Sequence, residues 1–488
     1  MPKTVYFCGK ASNFMGIPAK YVDSEMDVCF HAPVTHPAAE HAIDISANIT
    51  IVAFVTSDGE LYTCGTNGRH DGLGYSGSPD VTKTRFSKVN LGKEKAIQVC
   101  CGIDHTVVTC ESGHVMSFGN GRCGCLGDGN ISAHGVTTPV YVMTKDGDKL
   151  TNIVQVSAGN LYSAALSKDG VVFTWGSGTH GRLGLGKDQC GSVAYPTVVS
   201  IPVPVRMIAC GALYMGCVGN DGSVWTWGYG GHGNLGIGSR KHVAVPKRVP
   251  SFGMDMVSSE GKVVVEEEVE KGGEKEVKKE REESKGCCDG SCDPPSHHFA
   301  LSIACTRGQI ALTKHNPEKT QGSEGPHTFI TCSCGHLHCC GTAHKGMLGN
   351  CCERFFWDVG HDELTPFEIG VHEWRDLLFK MKKSKGSLSA DDEKKRVALN
   401  PSTLSDVHVE EACSAHIHSC CRGRDGKLYT WGCGSGGRIG LEQYVTGRSG
   451  KKSRMKCYVH KPTPVTGICG VTKIACFKYG TLCIADKK

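Results

Sequence analysis

No run of roughly 18 consecutive apolar residues occurs in this 488-residue chain, so no transmembrane helix is predicted and no membrane partner is expected. The opening segment MPKTVYFCGK has a lysine but no apolar stretch behind it, so no secretory signal is expected. Charge of one sign is also scarce. A net charge of +5 over 488 residues is nearly neutral and lacks the basic signature of a dedicated nucleic-acid domain. No Gly-X-Y period accompanies the 64 glycines and 19 prolines, which excludes collagen and favours a turn-rich fold. A hydrophobic content of 39% excludes wholesale disorder. Cysteine, by contrast, is abundant. Without a secretory signal the 29 cysteines are expected in a reducing compartment, cytoplasmic or nuclear, as free thiols or metal ligands rather than disulfides.

The chain repeats itself. Each unit reads as an apolar alternating run, an Asp-Gly or Ser-Gly turn, an aromatic strand ending in Gly, and a Gly-rich loop closing on Leu-Gly. The clearest copies are AALSKDGVVFTWGSGTHGRLGLG, from Ala164, and GCVGNDGSVWTWGYGGHGNLGIG, from Gly216. The strand-terminal glycines are Gly65, Gly119, Gly176, Gly228, Gly341 and Gly432, at gaps of 54, 57, 52, 113 and 91 residues. A seventh copy is split: TVYFCGK near the start supplies a second half and VTKIACFKYGTLCIADKK at the end a first half. Such a unit cannot cover its own apolar faces, so units stack in a ring, and joining both termini in one blade removes the exposed edge. The expected fold is all-β, a seven-bladed β-propeller whose N- and C-terminal strands close one blade. Blades are expected at about 1–17 with 471–488, then 43–99, 100–155, 156–208, 209–256, 300–374 and 405–470, with charged insertions at 257–299 and 375–404.

These units resemble the regulator of chromosome condensation family, whose repeats share Gly-x-x-His-Thr, DG-x-x-x-x-WG and GxLG signatures. CGIDHTVVT, from Cys101, matches the first, and GVVFTWG with GRLGLG the other two. The resemblance covers all seven units, about three quarters of the chain. It implies a protein-interaction propeller, with a small GTPase of the Ran type as partner and nucleotide exchange as the activity, and no cofactor or bond chemistry of its own. The residues it implicates lie in the Gly-x-x-His turn. Asp104 and His105 match directly and His327 loosely, while His298 and His416 are displaced versions. Asn160, Tyr162 and Tyr214 occupy the same turns in copies that depart from the motif. These eight are the expected partner-contacting positions on a monomer. The parent member also carries a basic N-terminal tail for chromatin. Here the arm GRSGKKSRMKCYVHK, with Arg448, Lys451, Lys452 and Arg454, could make non-specific phosphate contacts to DNA or nucleosomes instead. A cytoskeletal or ciliary scaffold is the further alternative the resemblance leaves open.

The insertions look solvated. Residues 260–285 hold 10 acidic and 7 basic residues and read as a loop or a marginal helix. Two groups could ligate metal: Cys287, Cys288, Cys292, His297 and His298, and the run Cys332, Cys334, His336, His338, Cys339, Cys340. The second falls on blade strands, where Cys also replaces small core residues at Cys64, Cys100 and Cys210, so structural thiols are expected there and no metal site is assigned. There is no Gly-x-Ser-x-Gly elbow, and the Gly-rich loops lack the Gly-Lys-Ser/Thr of a phosphate loop.

Overall fold

Short loops ending in a glycine at positive φ fold each alternating apolar run back on the aromatic strand, as at Lys168-Asp169-Gly170 (Gly170 φ 82°), where Ser167 N donates to Val171 O and Gly170 N to Ser167 O between the strands Tyr162–Ser167 and Val172–Ser177. The computed structural model describes residues 2–10, 27–48, 51–66, 72–75, 82–253, 267–271, 274–278, 298–306, 325–342, 347–349, 362–369, 404, 407–415, 417–434, 437–441, 445–446, 452–453, 458–478 and 480–487. Among them, seven four-stranded antiparallel sheets and two two-stranded hairpins form. Blades 1 to 4 occupy 42–89, 96–141, 153–198 and 205–248, blade 5 occupies 300–368, and blade 6 occupies 409–464. Blade 7 is composite, with strands in the order Lys473–Phe477, Gly480–Asp486, Lys3–Lys10 and Asp27–Pro33.

The two ends of the chain lie side by side. Lys3 pairs with Asp486, Val5 with Ile484, Phe7 with Leu482 and Gly9 with Gly480 in an unbroken antiparallel register. The outer strand, Asp27–Pro33, lies beyond the 1–17 expected for this half of the blade. The first strands of the seven blades touch in succession, blade 1 to blade 7 and back to blade 1, so the ring is closed.

Closure poses a hydrogen-bonding problem, because each first strand presents an unpaired edge to its neighbour. Side chains of the preceding blade solve it. Asp44 Oδ2 accepts from Val99 N at 3.0 Å and Ser46 Oγ from Cys101 N at 3.0 Å. Gln98 Oε1 accepts from Val156 N at 2.8 Å and Cys100 Sγ from Ala158 N at 3.2 Å. Gln155 and Ser157 repeat the pair on blade 4, to Ile208 N and Cys210 N at 2.9 Å each. The thiols expected in the core are there: Cys64, Cys100 and Cys210 are buried, and every described cysteine is free.

The WG signature has two mechanical roles. The hydroxyl two residues before the glycine donates to the carbonyl of the Leu or Ile of its own GxLG loop: Thr63 to Leu73 at 2.6 Å, Thr174 to Leu183 at 2.8 Å, and Thr226 to Leu235 and Thr430 to Ile439 at 2.7 Å each. The tryptophan reaches the loop of the preceding blade. Trp175 Nε1 donates to Cys125 O at 3.0 Å, Trp227 Nε1 to Arg182 O at 3.0 Å and Trp431 Nε1 to Met347 O at 2.7 Å, all three rings being fully buried.

The charged insertion departs from expectation. Within 260–285 the segments Glu267–Lys271 and Glu274–Lys278 pair as an antiparallel hairpin, Glu267 opposite Lys278 and Val269 opposite Glu276. The reason is local. Three of the five cross-strand pairs, Glu267 with Lys278, Glu270 with Lys275 and Lys271 with Glu274, oppose acid to base, a pattern that stabilises a ribbon. The insertion at 375–404 lies outside the described residues except for Leu404, which is buried against blades 5 and 6.

Candidate partner-binding face

The turns from first to second strand and the Gly-rich loops emerge on one face of the ring, and the residue opening each second strand is placed by the fold alone. Gly119 shows why. At φ 107° it closes on that turn so tightly that an added Cβ would lie 2.6 Å from Asp104 O and 2.8 Å from His105 Cα. With no room beneath it, the strand-opening side chain is driven sideways into the next blade.

His105, Tyr162, Tyr214, His327 and His418 all take that route, and none has exposed surface. His105 Nε2 meets Ser163 Oγ at 2.9 Å, linking blade 2 to blade 3. Tyr162 donates to Tyr214 O at 2.6 Å and Gly211 O at 2.9 Å, linking blades 3 and 4. Tyr214 donates to His327 O at 2.6 Å and accepts from Thr306 N at 2.9 Å, linking blades 4 and 5. His327 Nε2 lies 2.8 Å from Ser414 Oγ and 3.1 Å from Ser419 Oγ in blade 6. His418 Nε2 lies 3.1 Å from Thr481 Oγ1 and 3.2 Å from Gly480 O in blade 7. Burial holds His105 near a pKa of about 4 and His418 near about 3, so both imidazoles are neutral at pH 7, and it pushes both tyrosine hydroxyls well above their usual range.

This corrects the expected contact set. His105, Tyr162, Tyr214 and His327 are clasps between blades, with no surface for a partner to touch. His418, two residues beyond the His416 singled out from sequence, is the equivalent of His105, and His416 lies outside the described residues. His298 sits on the opposite face, just before the first strand of blade 5, Ala300–Cys305. Of the basic arm, Arg448, Lys451 and Arg454 lie outside the described residues, and Lys452 opens the short strand Lys452–Ser453, paired with Val445–Thr446.

Two expected positions remain at the surface. Asp104 is half-buried, its backbone fixed by Asn120 N donating to Asp104 O at 2.8 Å. Asn160 is half-buried on the next turn, its amide bonded to Ala212 O at 3.1 Å and its carbonyl accepting from Arg182 Nη1 at 2.8 Å. Arg182 is buried, and the lost hydration lowers its pKa to about 10, which leaves it cationic at neutral pH. Beside it, on the loops of blades 3 and 4, sequence reasoning missed an aromatic patch. His180 and His242 lie 5.1 Å apart between ring centroids, each packing on Tyr229, at 5.5 and 4.7 Å. His180 is the histidine of THGRLG, but His242 comes from RKHVAV, outside the repeat signature, and only the ring sets the two side by side.

Comparison with known proteins fits this architecture. A model described as the regulator of chromosome condensation (RCC1) repeat matches residues 112–166, 169–218, 221–259 and 425–484, and a second of the same description matches 153–182. The Ultraviolet-B receptor UVR8 of Arabidopsis thaliana is 33% identical over 228 residues, covering 46% of this chain and 50% of UVR8. The E3 ubiquitin-protein ligase HERC2 of Homo sapiens is 35% identical over 216 residues, 43% of this chain but 4% of HERC2. The chain thus spans half or less of the curated relatives it matches. In fold, Prp20p of Saccharomyces cerevisiae superposes with a TM-score of 0.66 at 16% identity, over 100% of this chain and 92% of Prp20p. The segments 112–259 and 425–484 thus carry regulator of chromosome condensation (RCC1) repeats, set within a sealed ring of seven blades that shares the fold of Prp20p.

Proposed function

We propose that this propeller is a protein-interaction platform that binds a small GTPase on the face bearing Asp104 and accelerates release of its nucleotide. The observation that carries the reading is Asp104 itself, an acid left half-exposed on a turn whose neighbour, His105, is locked into the next blade. A turn held this way loses little freedom when a partner docks, so its contacts convert efficiently into affinity. Exchange needs no bond chemistry from the propeller. It requires tighter binding to the nucleotide-free GTPase than to the loaded form. The surroundings suit a protein partner: Asn160, with the cationic Arg182 behind it, and His180 and His242, seated on the buried Tyr229 ring, follow Asp104 around the ring across blades 3 and 4. Support also comes from Prp20p, whose crystal structure was described together with its binding to Gsp1p and histones.

The test is release of fluorescent GDP from a panel of Ran-, Rab-, Rho- and Arf-type GTPases, with wild type and Asp104→Ala. Acceleration of one GTPase is expected, reduced roughly tenfold in the variant, the equivalent of about 1.4 kcal/mol. The variant's melting temperature is expected to be unchanged, because no clasp runs through this carboxylate. No acceleration of any GTPase by wild type would overturn the exchange reading.

A further inference from the structure

On the face opposite Asp104, the turn between the second and third strands of blade 5 breaks the repeat. Blades 1, 3, 4 and 6 place Asp58, Asp169, Asp221 and Asp425 before the turn glycine and blade 2 places Ser112, whereas blade 5 has Cys334 before Gly335. The strand leading into it, His327–Cys332, ends in a second thiol, so the two thiols flank Ser333. His298 comes from elsewhere in the chain. It is the residue at which the long insertion after Gly253 returns to the ring. We propose that His298, Cys332 and Cys334 form a zinc site that clamps the base of this insertion.

The geometry is nearly assembled. One ligand atom from each of the three residues lies within 4.8 Å of the other two, and Cys334 Sγ is 3.9 Å from His298 Nδ1. Tetrahedral zinc, with bonds of about 2.3 Å to sulfur and 2.0 Å to nitrogen, would set sulfur and nitrogen about 3.5 Å apart, so binding asks for a small contraction. The backbone that presents the ligands is fixed on both sides. Ala300 pairs with Cys332, Ser333 N donates to Phe299 O at 2.9 Å, and Gly335 N to Cys332 O at 2.9 Å. His298 bridges Phe252 in parallel register and accepts from Gly253 N at 3.1 Å, so both ends of the insertion meet at the site.

A second shell is present as well. Buried His338 brings Nδ1 to 3.4 Å from Cys332 Sγ and packs against the His298 ring at 4.6 Å, tilted by 58°, while His336 Nδ1 pairs with Glu368 at 3.2 Å. The charges balance: zinc brings two positive charges, the two thiols release their protons to solvent as thiolates, and the imidazole binds neutral. The complex is neutral, which suits a half-buried position. Cys334 is exposed and His298 half-buried, so the metal has a path in, and the fourth position takes water.

The test uses the full chain. Purified protein is expected to hold one zinc per chain, and the cobalt-substituted form to show the thiolate charge-transfer and intense visible bands of tetrahedral coordination. Cys334→Ser is expected to weaken zinc binding at least roughly 100-fold in competition with a chromophoric chelator, while Cys190→Ser, an exposed thiol in blade 3, leaves it unchanged. Because Cys334 lies on an exposed turn, the apo variant should fold. Chelation should lower the melting temperature of wild type and leave that of Cys334→Ser unmoved. Absence of stoichiometric zinc from wild type, or its full retention in Cys334→Ser or His298→Ala, would overturn the proposal.

Discussion

Replacing Tyr214 with Phe removes one oxygen from the blade 4 to blade 5 clasp and leaves the ring, the backbone and the surface unchanged. That oxygen donates to His327 O at 2.6 Å, accepts from Thr306 N at 2.9 Å and lies 3.0 Å from Thr328 Oγ1, in a position with no exposed surface. Thr306 N keeps a longer bond to His327 O at 3.2 Å, so it is weakened rather than orphaned. Two buried hydrogen bonds at about 1 kcal/mol each, plus incomplete satisfaction of the amide, give a loss of about 2–3 kcal/mol. Tyr162→Phe should cost about 1 kcal/mol, because Tyr214 O, its shorter acceptor, keeps Gly211 N at 2.8 Å. Tyr141→Phe, whose half-exposed hydroxyl meets only Glu94 at 3.0 Å, should cost under about 0.5 kcal/mol. For a cooperative unit of this size about 1 kcal/mol corresponds to roughly 1 °C, so calorimetry should order the three melting temperatures Tyr214→Phe lowest, then Tyr162→Phe, then Tyr141→Phe. Equal melting points for Tyr214→Phe and Tyr141→Phe would refute the clasp.

Gly176→Val should abolish the fold of blade 3, since at φ 105° its Cβ would lie 2.6 Å from both Leu161 O and Tyr162 Cα, whereas Gly92→Ala, at φ 67° with nothing within 4 Å, should cost only about 1–2 kcal/mol. Soluble yield and melting temperature distinguish the two, and equal effects would contradict the steric account. Acid should weaken the ring through its buried histidines. His105 and His418 stay neutral in the folded state down to about 4 and about 3, while the unfolded chain takes up protons near 6.5. Stability is therefore fully present above pH 6.5 and falls below it, by about 1.4 kcal/mol per pH unit for each histidine. Melting temperatures constant from pH 8 to 5 would contradict this.

The ring was legible because it is periodic: every DG turn, WG strand end and GxLG loop recurs with a hydrogen bond attached, so one copy checks another. Single sites are not periodic, and there the sequence misled. The Gly-x-x-His turn marks His105 clearly but says nothing of whether the imidazole points to solvent or to Ser163, and the neighbouring blade decides that. His416 and His418 alternate along one segment, so choosing between them required the register that pairs His418 with Gly432. In the charged insertion, Gly272 and Gly273 between Val-Glu alternations were a hairpin signal hidden by the charge count. Likewise, the two candidate metal groups read as separate because 33 residues divide His298 from Cys332. Only the pairing of Ala300 with Cys332 makes them neighbours.

Everything above depends on the first and last strands completing one sheet. Native-state hydrogen exchange on the amides of Val5, Phe7, Leu482 and Ile484 tests that most directly, because each belongs to the register joining the termini. Protection equal to that of Ala164 and Thr174 inside blade 3 is the predicted result. Rapid exchange at both termini while blade 3 stays protected would show an open ring and contradict the account.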